Sequence, residues 1–241
     1  MCTVTFIARR SGYVIGMNRD EKLTRATALA PAQRRIGTRE ALYPSEPGGG
    51  TWMGVNDAWI SLALINWYSI PERVNGQVSS RGDVIKAALA ADSATDADQI
   101  LAGLPLDRTN PFRLVGVFPG GRSVVEWRWN RRSLERLDYP WDTNTWISSG
   151  FDEPGAQRTR RKAFDQAKQQ RSTGSANWLR RLHRSHAPQR GPYSTCMHRN
   201  DAATVSYTEV IVSGREATMR YLPGAPCGGF SQTVHRLEIG R

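Results

Sequence analysis

Disulfides, membrane spans and a secretory leader all lack support in this sequence. The 241 residues include only three cysteines, Cys2, Cys196 and Cys227. An odd number at such wide spacing argues against a disulfide framework and is typical of a reducing compartment. No apolar run reaches the roughly 18 residues that a membrane helix needs, and Arg9 and Arg10 interrupt the first apolar stretch too early for a leader. We therefore expect one cytoplasmic domain over residues 1–241.

Acidic residues are also scarce, 22 against 33 lysines and arginines, so the net charge is +11. Most of the excess lies in residues 156–190, where ten basic side chains accompany a single acid, Asp165. Such a segment is typical of a solvated helix surface, and it could also attract carboxylate ligands or an anionic membrane. A nucleic-acid partner is not expected, because Trp178 is the only aromatic residue near the arginines of 177–184.

The order of apolar runs predicts an α+β fold. Runs at 3–8 and 13–17, joined by a linker that contains Gly12, predict a hairpin, and the run 58–67 predicts a strand buried on both faces. Residues 22–47 read as an irregular connection with at most one edge strand. Helices are predicted at 81–91, 96–101, 153–169 and 175–182, and further strands at 51–55, 113–118, 123–129, 133–137, 146–149, 202–206, 208–212, 217–221 and 233–237. This order favours two facing antiparallel sheets with helices outside.

Cys2 is the first candidate for chemistry. If Met1 is removed, the thiol and an α-amine with a pKa of roughly 8 occupy one residue, and the amine can take the thiol proton. The alternative is a buried structural cysteine. Asp20 follows the second predicted strand and could orient the amine. Asn66 ends the long buried strand, where its amide could donate to an oxyanion or cap the backbone.

An ordered series of short segments carries a family resemblance. The segments are 1–3 (Met-Cys-Thr), 16–21 (Gly-Met-Asn-Arg-Asp-Glu), 49–54 (Gly-Gly-Thr-Trp-Met-Gly), 64–66 (Leu-Ile-Asn) and 80–82 (Ser-Arg-Gly). Together they resemble the NRDE family, also called the transport and Golgi organisation family, which is associated with haem handling. Looser matches follow at 147–154 and 196–199.

The NRDE family in turn resembles the N-terminal nucleophile hydrolases, such as choloylglycine hydrolases and penicillin V acylases. That resemblance implies a four-layer αββα sandwich in which Cys2 attacks an amide carbonyl, Asp20 holds the α-amine and Asn66 binds the oxyanion. The supporting or binding residues that it implies are Asn18, Arg19, Arg81, Ser149 and Arg199. Ser149 stands where the hydrolases have a second asparagine, and Arg199 corresponds to a distal arginine.

One departure bears on activity. Where the hydrolases carry an arginine just before the Asn-x-Asp of the second strand, this chain has Met17. We expect Arg19 to point to the opposite face of the strand, which would leave the nucleophile without a neighbouring cation. The two functions implied are amide hydrolysis of a small acylated substrate, which needs no cofactor, and non-catalytic carriage of an amphipathic or anionic ligand such as haem.

No metal site is predicted from the sequence. His183 and His186 read as surface residues in a positively charged segment. Cys196 and His198 match no familiar zinc spacing, and they are considered only as ligands of haem iron.

Overall fold

Two antiparallel β-sheets face each other in the computed structural model, which describes residues 2–238. The first sheet has the strand order β10-β1-β2-β11-β12-β13. Its strands are β1 (Cys2–Ala8), β2 (Tyr13–Lys22), β10 (Asn144–Ser148), β11 (Ala202–Ser213), β12 (Glu216–Pro223) and β13 (Thr233–Arg236). The second sheet has the order β3-β4-β5-β6-β7-β8-β9. Its strands are β3 (Leu29–Ile36), β4 (Arg39–Ser45), β5 (Met53–Asn56), β6 (Ser61–Asn66), β7 (Phe112–Phe118), β8 (Ser123–Trp129) and β9 (Leu134–Tyr139).

Helices cover the outer face of each sheet. The helices α1 (Arg81–Ala88) and α2 (Ala94–Ala102) pack on the second sheet, and α3 (Glu153–Lys168) and α4 (Ala176–Arg184) pack on the first. Each begins at a side chain that accepts a backbone hydrogen bond, namely Ser80, Ser93, Asp152 and Ser175. The predicted α+β sandwich of four layers is confirmed.

The β1–β2 hairpin sets the face of every residue in the first two strands. Gly12 turns it with φ +76°, and a Cβ there would lie 1.9 Å from the carbonyl oxygen of Val212, so only glycine fits. Along β2, Ile15 and Met17 enter the core between the sheets, whereas Val14 packs under α3 and α4. The face therefore alternates residue by residue, as the pleat requires.

Two strand predictions were wrong. Residues 22–47 contain two strands, β3 and β4, and the residues predicted as separate strands at 202–206 and 208–212 form the single strand β11. β3 is an edge strand with mostly exposed side chains, so it lacks the apolar alternation that predicts strands. An irregularity between Thr204 and Ser206 interrupts the alternation within β11.

His183 is buried rather than exposed, which corrects the surface assignment. Its face of α4, with Trp178 and Leu182, packs on the first sheet, and its Nε2 lies 3.1 Å from the hydroxyl of Thr5. Burial, assisted by the nearby Arg160 guanidinium, lowers the pKa of His183 from 6.5 to about 3. The imidazole is therefore neutral in the folded protein near neutral pH.

This lowered pKa predicts acid destabilisation. The neutral ring stabilises the fold fully above pH 6.5, the unfolded pKa, and that contribution is lost as the pH falls toward the folded pKa of about 3. Between these two pKa values, the free energy of unfolding should drop by roughly 1.4 kcal/mol for each pH unit. Urea titrations at pH 7.5 and 5.5 should show a smaller drop for His183→Gln and an unchanged drop for His235→Gln. Equal pH dependence in the wild type and His183→Gln would contradict the assignment.

The basic segment 156–190 is only partly a surface. Six of its ten basic side chains are exposed: Arg158, Lys162, Arg171, Arg181, Arg184 and Arg190. Arg160 is buried in an ion pair, and Arg180 pairs with Glu209 at 2.5 Å. None of the described helices combines the length and apolarity needed to cross a bilayer.

Candidate functional site

A cavity of about 410 Å³ lies where β1 begins and β2 ends. It is formed by residues of both sheets and by the loop that leads into α1. Five of the residues singled out in the sequence line it: Cys2, Arg19, Asp20, Asn66 and Arg81. Residues separated by almost eighty positions therefore share one site.

Cys2 points between the sheets. Its cross-strand partners are Arg19 on β2 and Ser148 on β10, so the three side chains share the inner face. Cys2 is 7% exposed. Burial raises the pKa of its thiol, and a hydrogen bond from the Asp20 backbone opposes that rise. The thiol is therefore protonated near neutral pH, and attack requires a base.

Asp20 lies beside Cys2 with its carboxylate held from the helix side. Its Oδ2 accepts a hydrogen bond from Arg160 at 3.1 Å, and its Oδ1 accepts one from the Thr204 hydroxyl at 2.6 Å. The same Arg160 nitrogen donates to the hydroxyl of Thr3 at 2.8 Å. Arg160 and Asp20 are both buried, so this ion pair joins α3 to the strands that carry the candidate nucleophile.

Asn18 lies outside the cavity. Its side-chain amide donates to the carbonyl oxygens of His183 at 2.9 Å and Thr195 at 2.8 Å, both on the helix side of the first sheet. The predicted supporting role becomes a structural one, because the amide holds the end of α4 and the following loop to β2.

The orientation predicted for Arg19 was wrong. Residues two apart on a strand share a face, so Arg19 points between the sheets as Met17 does. Its guanidinium lies 4.4 Å from the centre of the Trp52 ring and forms an ion pair with Glu46 on the opposite sheet. A cation therefore does lie beside the nucleophile. Glu46 and Glu21 offset its charge, and both also pair with Arg25.

Arg81 is the cation of the cavity that no carboxylate offsets by an ion pair within residues 2–238. Its Nη1 lies 3.4 Å from the carbonyl oxygen of Pro111, and burial lowers the pKa of its guanidinium.

The segment Ser80-Arg81-Gly82 places the start of α1 at the cavity. Ser80 caps α1, Arg81 opens the helix at the cavity, and a Cβ at Gly82 would lie 2.5 Å from the backbone nitrogen of Thr51. Gly82 thus permits the helix start to contact the glycine-rich loop.

Asn66 ends β6 at the cavity wall. Its Nδ2 donates to the hydroxyl of Tyr68 at 2.8 Å. The side-chain amide nitrogen of Asn66 carries two hydrogens, so the second one is available to donate to an oxyanion. Its position beside the cavity is therefore compatible with the role that the resemblance implies.

Ser149 and Arg199 are not among the residues that line the cavity. Ser149 is buried, and its hydroxyl accepts a hydrogen bond from the backbone of Phe151 at 3.3 Å. Arg199 pairs with Asp201 at 2.8 Å and lies 4.7 Å from the centre of the Phe151 ring. Neither contributes to the Cys2 cavity in this arrangement.

Ser148, which was not singled out in the sequence, neighbours Cys2 across the β1–β10 pair but is not among the residues that line the cavity. It is fully buried opposite Cys2, and its hydroxyl has no hydrogen-bond partner among the described residues. A buried polar group without a hydrogen-bond partner destabilises the fold. The strand register identifies it, and that register requires knowing that β10 pairs with β1.

A second cavity of about 470 Å³ is lined by residues of both sheets and of α3 and does not include Cys2. Arginines from three elements line it, and they include Arg113, which forms an ion pair with the buried Glu126. Side chains able to hold a metal ion are also found away from the Cys2 cavity, at His186, Cys196, His198 and Cys227.

Comparisons with known proteins agree with this geometry. The family model described as Transport and Golgi organisation 2 matches residues 1–190. No curated protein matches the chain. Penicillin V acylase from Agrobacterium tumefaciens matches with a TM-score of 0.55 and 9% identity, over 98% of this chain and 85% of that one. A mutant conjugated bile acid hydrolase from Clostridium perfringens matches with a TM-score of 0.55 and 8% identity, over 96% of each chain. At these identities the likeness shows a shared fold.

Proposed function

Because the chain belongs to the Transport and Golgi organisation 2 family, and its fold is that of the two acyl-amide hydrolases named above, we propose that it is an N-terminal cysteine amidohydrolase. The observation that carries this proposal is the cavity in which Cys2 lies with Asn66 and Arg81. Removal of Met1 makes Cys2 the first residue of the active protein.

The reaction follows from the groups at the cavity. The α-amine of Cys2 takes the thiol proton, and the sulfur attacks the carbonyl carbon of the substrate amide. Asn66 donates a hydrogen bond to the resulting oxyanion. The carbon–nitrogen bond then breaks, and the amine product leaves with the proton from the α-amine. Water hydrolyses the thioester, which releases the carboxylic acid and restores the thiol.

Asp20 positions the α-amine in this scheme. Its own position is fixed by Arg160 and Thr204, so it needs no reorganisation during the reaction. The same buried pair anchors the strand ends around Cys2. A role in positioning is consistent with its proximity to Cys2 and with its attachment to α3.

The substrate class follows from size and charge. A cavity of about 410 Å³ suits a small molecule. Arg19 and Arg25 are offset by Glu21 and Glu46, whereas Arg81 is free to bind a carboxylate. We propose a small acylated substrate with a carboxylate near the scissile amide.

Mass spectrometry of the intact protein tests this proposal. The purified chain should lack Met1, and incubation with nitrophenyl phenylacetate, an activated ester, should add one phenylacetyl group. Peptide mapping should place that group on Cys2, because Cys227, the exposed thiol, has no neighbouring α-amine. Retention of Met1, or acylation confined to Cys227, would contradict the proposal.

A non-catalytic ligand carrier is the second candidate, with haem or a similar amphipathic anion as its ligand. The raised thiol pKa of Cys2 favours this candidate, because a carrier needs no thiolate. The exposed basic residues of 156–190 could then dock on an anionic membrane, and the free thiols fit a cytoplasmic location. Haem binding with a Soret shift, together with failure of the acylation test, would favour the carrier.

Cys196 and His198 fit a haem iron poorly. Haem iron has only two axial positions, on opposite faces of the porphyrin, which places two axial donors roughly 4 Å apart or more. The Cys196 sulfur and the His198 Nε2 are only 3.6 Å apart. We therefore expect haem, if it binds, to use other residues.

A further inference from the structure

Four metal-ligating side chains converge where two loops meet. The donor atoms of His186, Cys196, His198 and Cys227 all lie within 4.8 Å of one another. The loop between α4 and β11 carries His186, Cys196 and His198. The loop between β12 and β13 carries Cys227. We propose that these four residues bind one structural zinc(II) ion.

The separations of the donor atoms fit a tetrahedral ion. Metal–sulfur bonds of about 2.3 Å and metal–nitrogen bonds of about 2.0–2.1 Å give tetrahedron edges of roughly 3.3 Å between nitrogens and 3.6 Å between sulfur and nitrogen. The His198 Nε2 lies 3.2 Å from the His186 Nε2, 3.6 Å from the Cys196 sulfur and 3.4 Å from the Cys227 sulfur. The three separations from His198 thus match the tetrahedron edges, and the other three donor pairs lie within 4.8 Å.

The ligand types favour zinc over the common alternatives. Two sulfurs and two imidazole nitrogens in a tetrahedral arrangement suit zinc, whereas magnesium and calcium prefer oxygen donors. All four positions are filled by protein side chains, and such closed sites are structural rather than catalytic.

Charge balance also permits the ion. Binding displaces one proton from each of Cys196 and Cys227, and the two thiolates neutralise the two positive charges of zinc. Arg190, which lies 3.3 Å from the His198 Nδ1, must turn away because that nitrogen then carries a proton. Its side chain is exposed and free to do so.

Hydrogen bonds connect residues 196–198, which include two of the ligands, to Asp20 at the Cys2 site. The backbone N–H of Met197, between two ligands, donates to the Thr204 hydroxyl at 2.8 Å, and that hydroxyl donates to Asp20 at 2.6 Å. Cys196 is tied to the end of α4, because its N–H donates to the Ser185 carbonyl at 3.0 Å. Zinc would therefore hold the backbone that lies behind Asp20.

Metal analysis of the full chain tests the proposal. Protein purified under reducing conditions from zinc-supplemented cells should carry one equivalent of zinc. After removal of zinc, cobalt(II) should produce the strong visible bands of a tetrahedral site and a thiolate charge-transfer band, and added zinc should abolish both. Cys227→Ser should weaken zinc binding by more than about 100-fold.

Matched variants separate this site from the other cysteine and histidine residues. Cys2→Ser and His235→Gln should retain the zinc and the cobalt spectrum. Because Cys196 is buried and its replacement could unfold the chain, the exposed Cys227 is the decisive position. Failure of the fully reduced chain to bind cobalt, a content of iron instead of zinc, or a Cys196–Cys227 disulfide in the protein from reducing cells would overturn the proposal.

Discussion

Replacement of Cys2 with alanine is expected to lower kcat/KM by at least about 10³-fold on any amide that the protein hydrolyses, because the attacking sulfur is lost. A suitable probe is a phenylacetyl anilide that carries a ring carboxylate, with the release of the aniline followed by absorbance. Loss of the sulfur removes the covalent route, and the cavity retains only its binding groups. The expected free energy of unfolding is close to that of the wild type, since alanine fills most of the small buried position.

Two controls test whether the sulfur of Cys2 is the nucleophile and whether Arg81 binds the substrate carboxylate. Cys2→Ser keeps the size and the hydrogen-bonding capacity of residue two, yet its hydroxyl is a weaker nucleophile, so its activity should be intermediate or absent. A matched anilide without the carboxylate tests Arg81, because Arg81→Leu should abolish the preference between the two anilides. If Cys2→Ala retained a tenth of the wild-type rate, another residue would be the nucleophile.

Arg160→Met should lower the free energy of unfolding by about 3–5 kcal/mol, because it leaves the Asp20 carboxylate buried without its cation. Arg160 is 1% exposed and lies 3.1 Å from Asp20. The residues on both sides of the pair belong to different layers, α3 and β2, so the loss also weakens the contact between layers. Urea unfolding at neutral pH measures the effect.

Lys168→Met is the matched control on the same helix. Lys168 pairs with Asp142 at 3.1 Å, but its side chain is 38% exposed and that of Asp142 is 67% exposed. Such exposed pairs contribute about 0–1 kcal/mol. The double variant Asp20→Asn with Arg160→Met should recover part of the loss, since no uncompensated charge stays buried. Equal losses in the free energy of unfolding for Arg160→Met and Lys168→Met would show that the buried ion pair stabilises the fold no more than the exposed one.

The parts of the site that the sequence predicted are those set by local pattern. Cys2 begins a buried strand and Asn66 ends one, and both features are visible in a few consecutive residues. The resemblance implies a shared site for Cys2, Asp20, Asn66 and Arg81, and all four line one cavity.

The parts that the sequence did not predict depend on contacts between distant elements. Ser148 meets Cys2 only because β10 pairs with β1. The four residues of the proposed zinc site come from two loops that are distant in sequence, so no regular spacing marks them. Arg160 sits within a run of basic residues that looks like a surface, and its burial follows from the way α3 packs on the first sheet. Arg19 lies on the inner face of β2 with Met17, and its position opposite Cys2 follows from the pairing of β1 with β2.

The turn at Gly12 makes the Asn-Arg-Asp-Glu run intolerant of changes in length. The side chains of the odd-numbered residues of β2 point into the space between the sheets, and the side chain of Asn18 points toward the helices. One residue inserted into that turn would exchange the two sets, sending Arg19 under the helices and Asn18 toward the nucleophile. Substitutions in the turn, except at Gly12, should therefore be tolerated far better than single insertions or deletions, and paired length changes in both strands would be needed to restore the alternation.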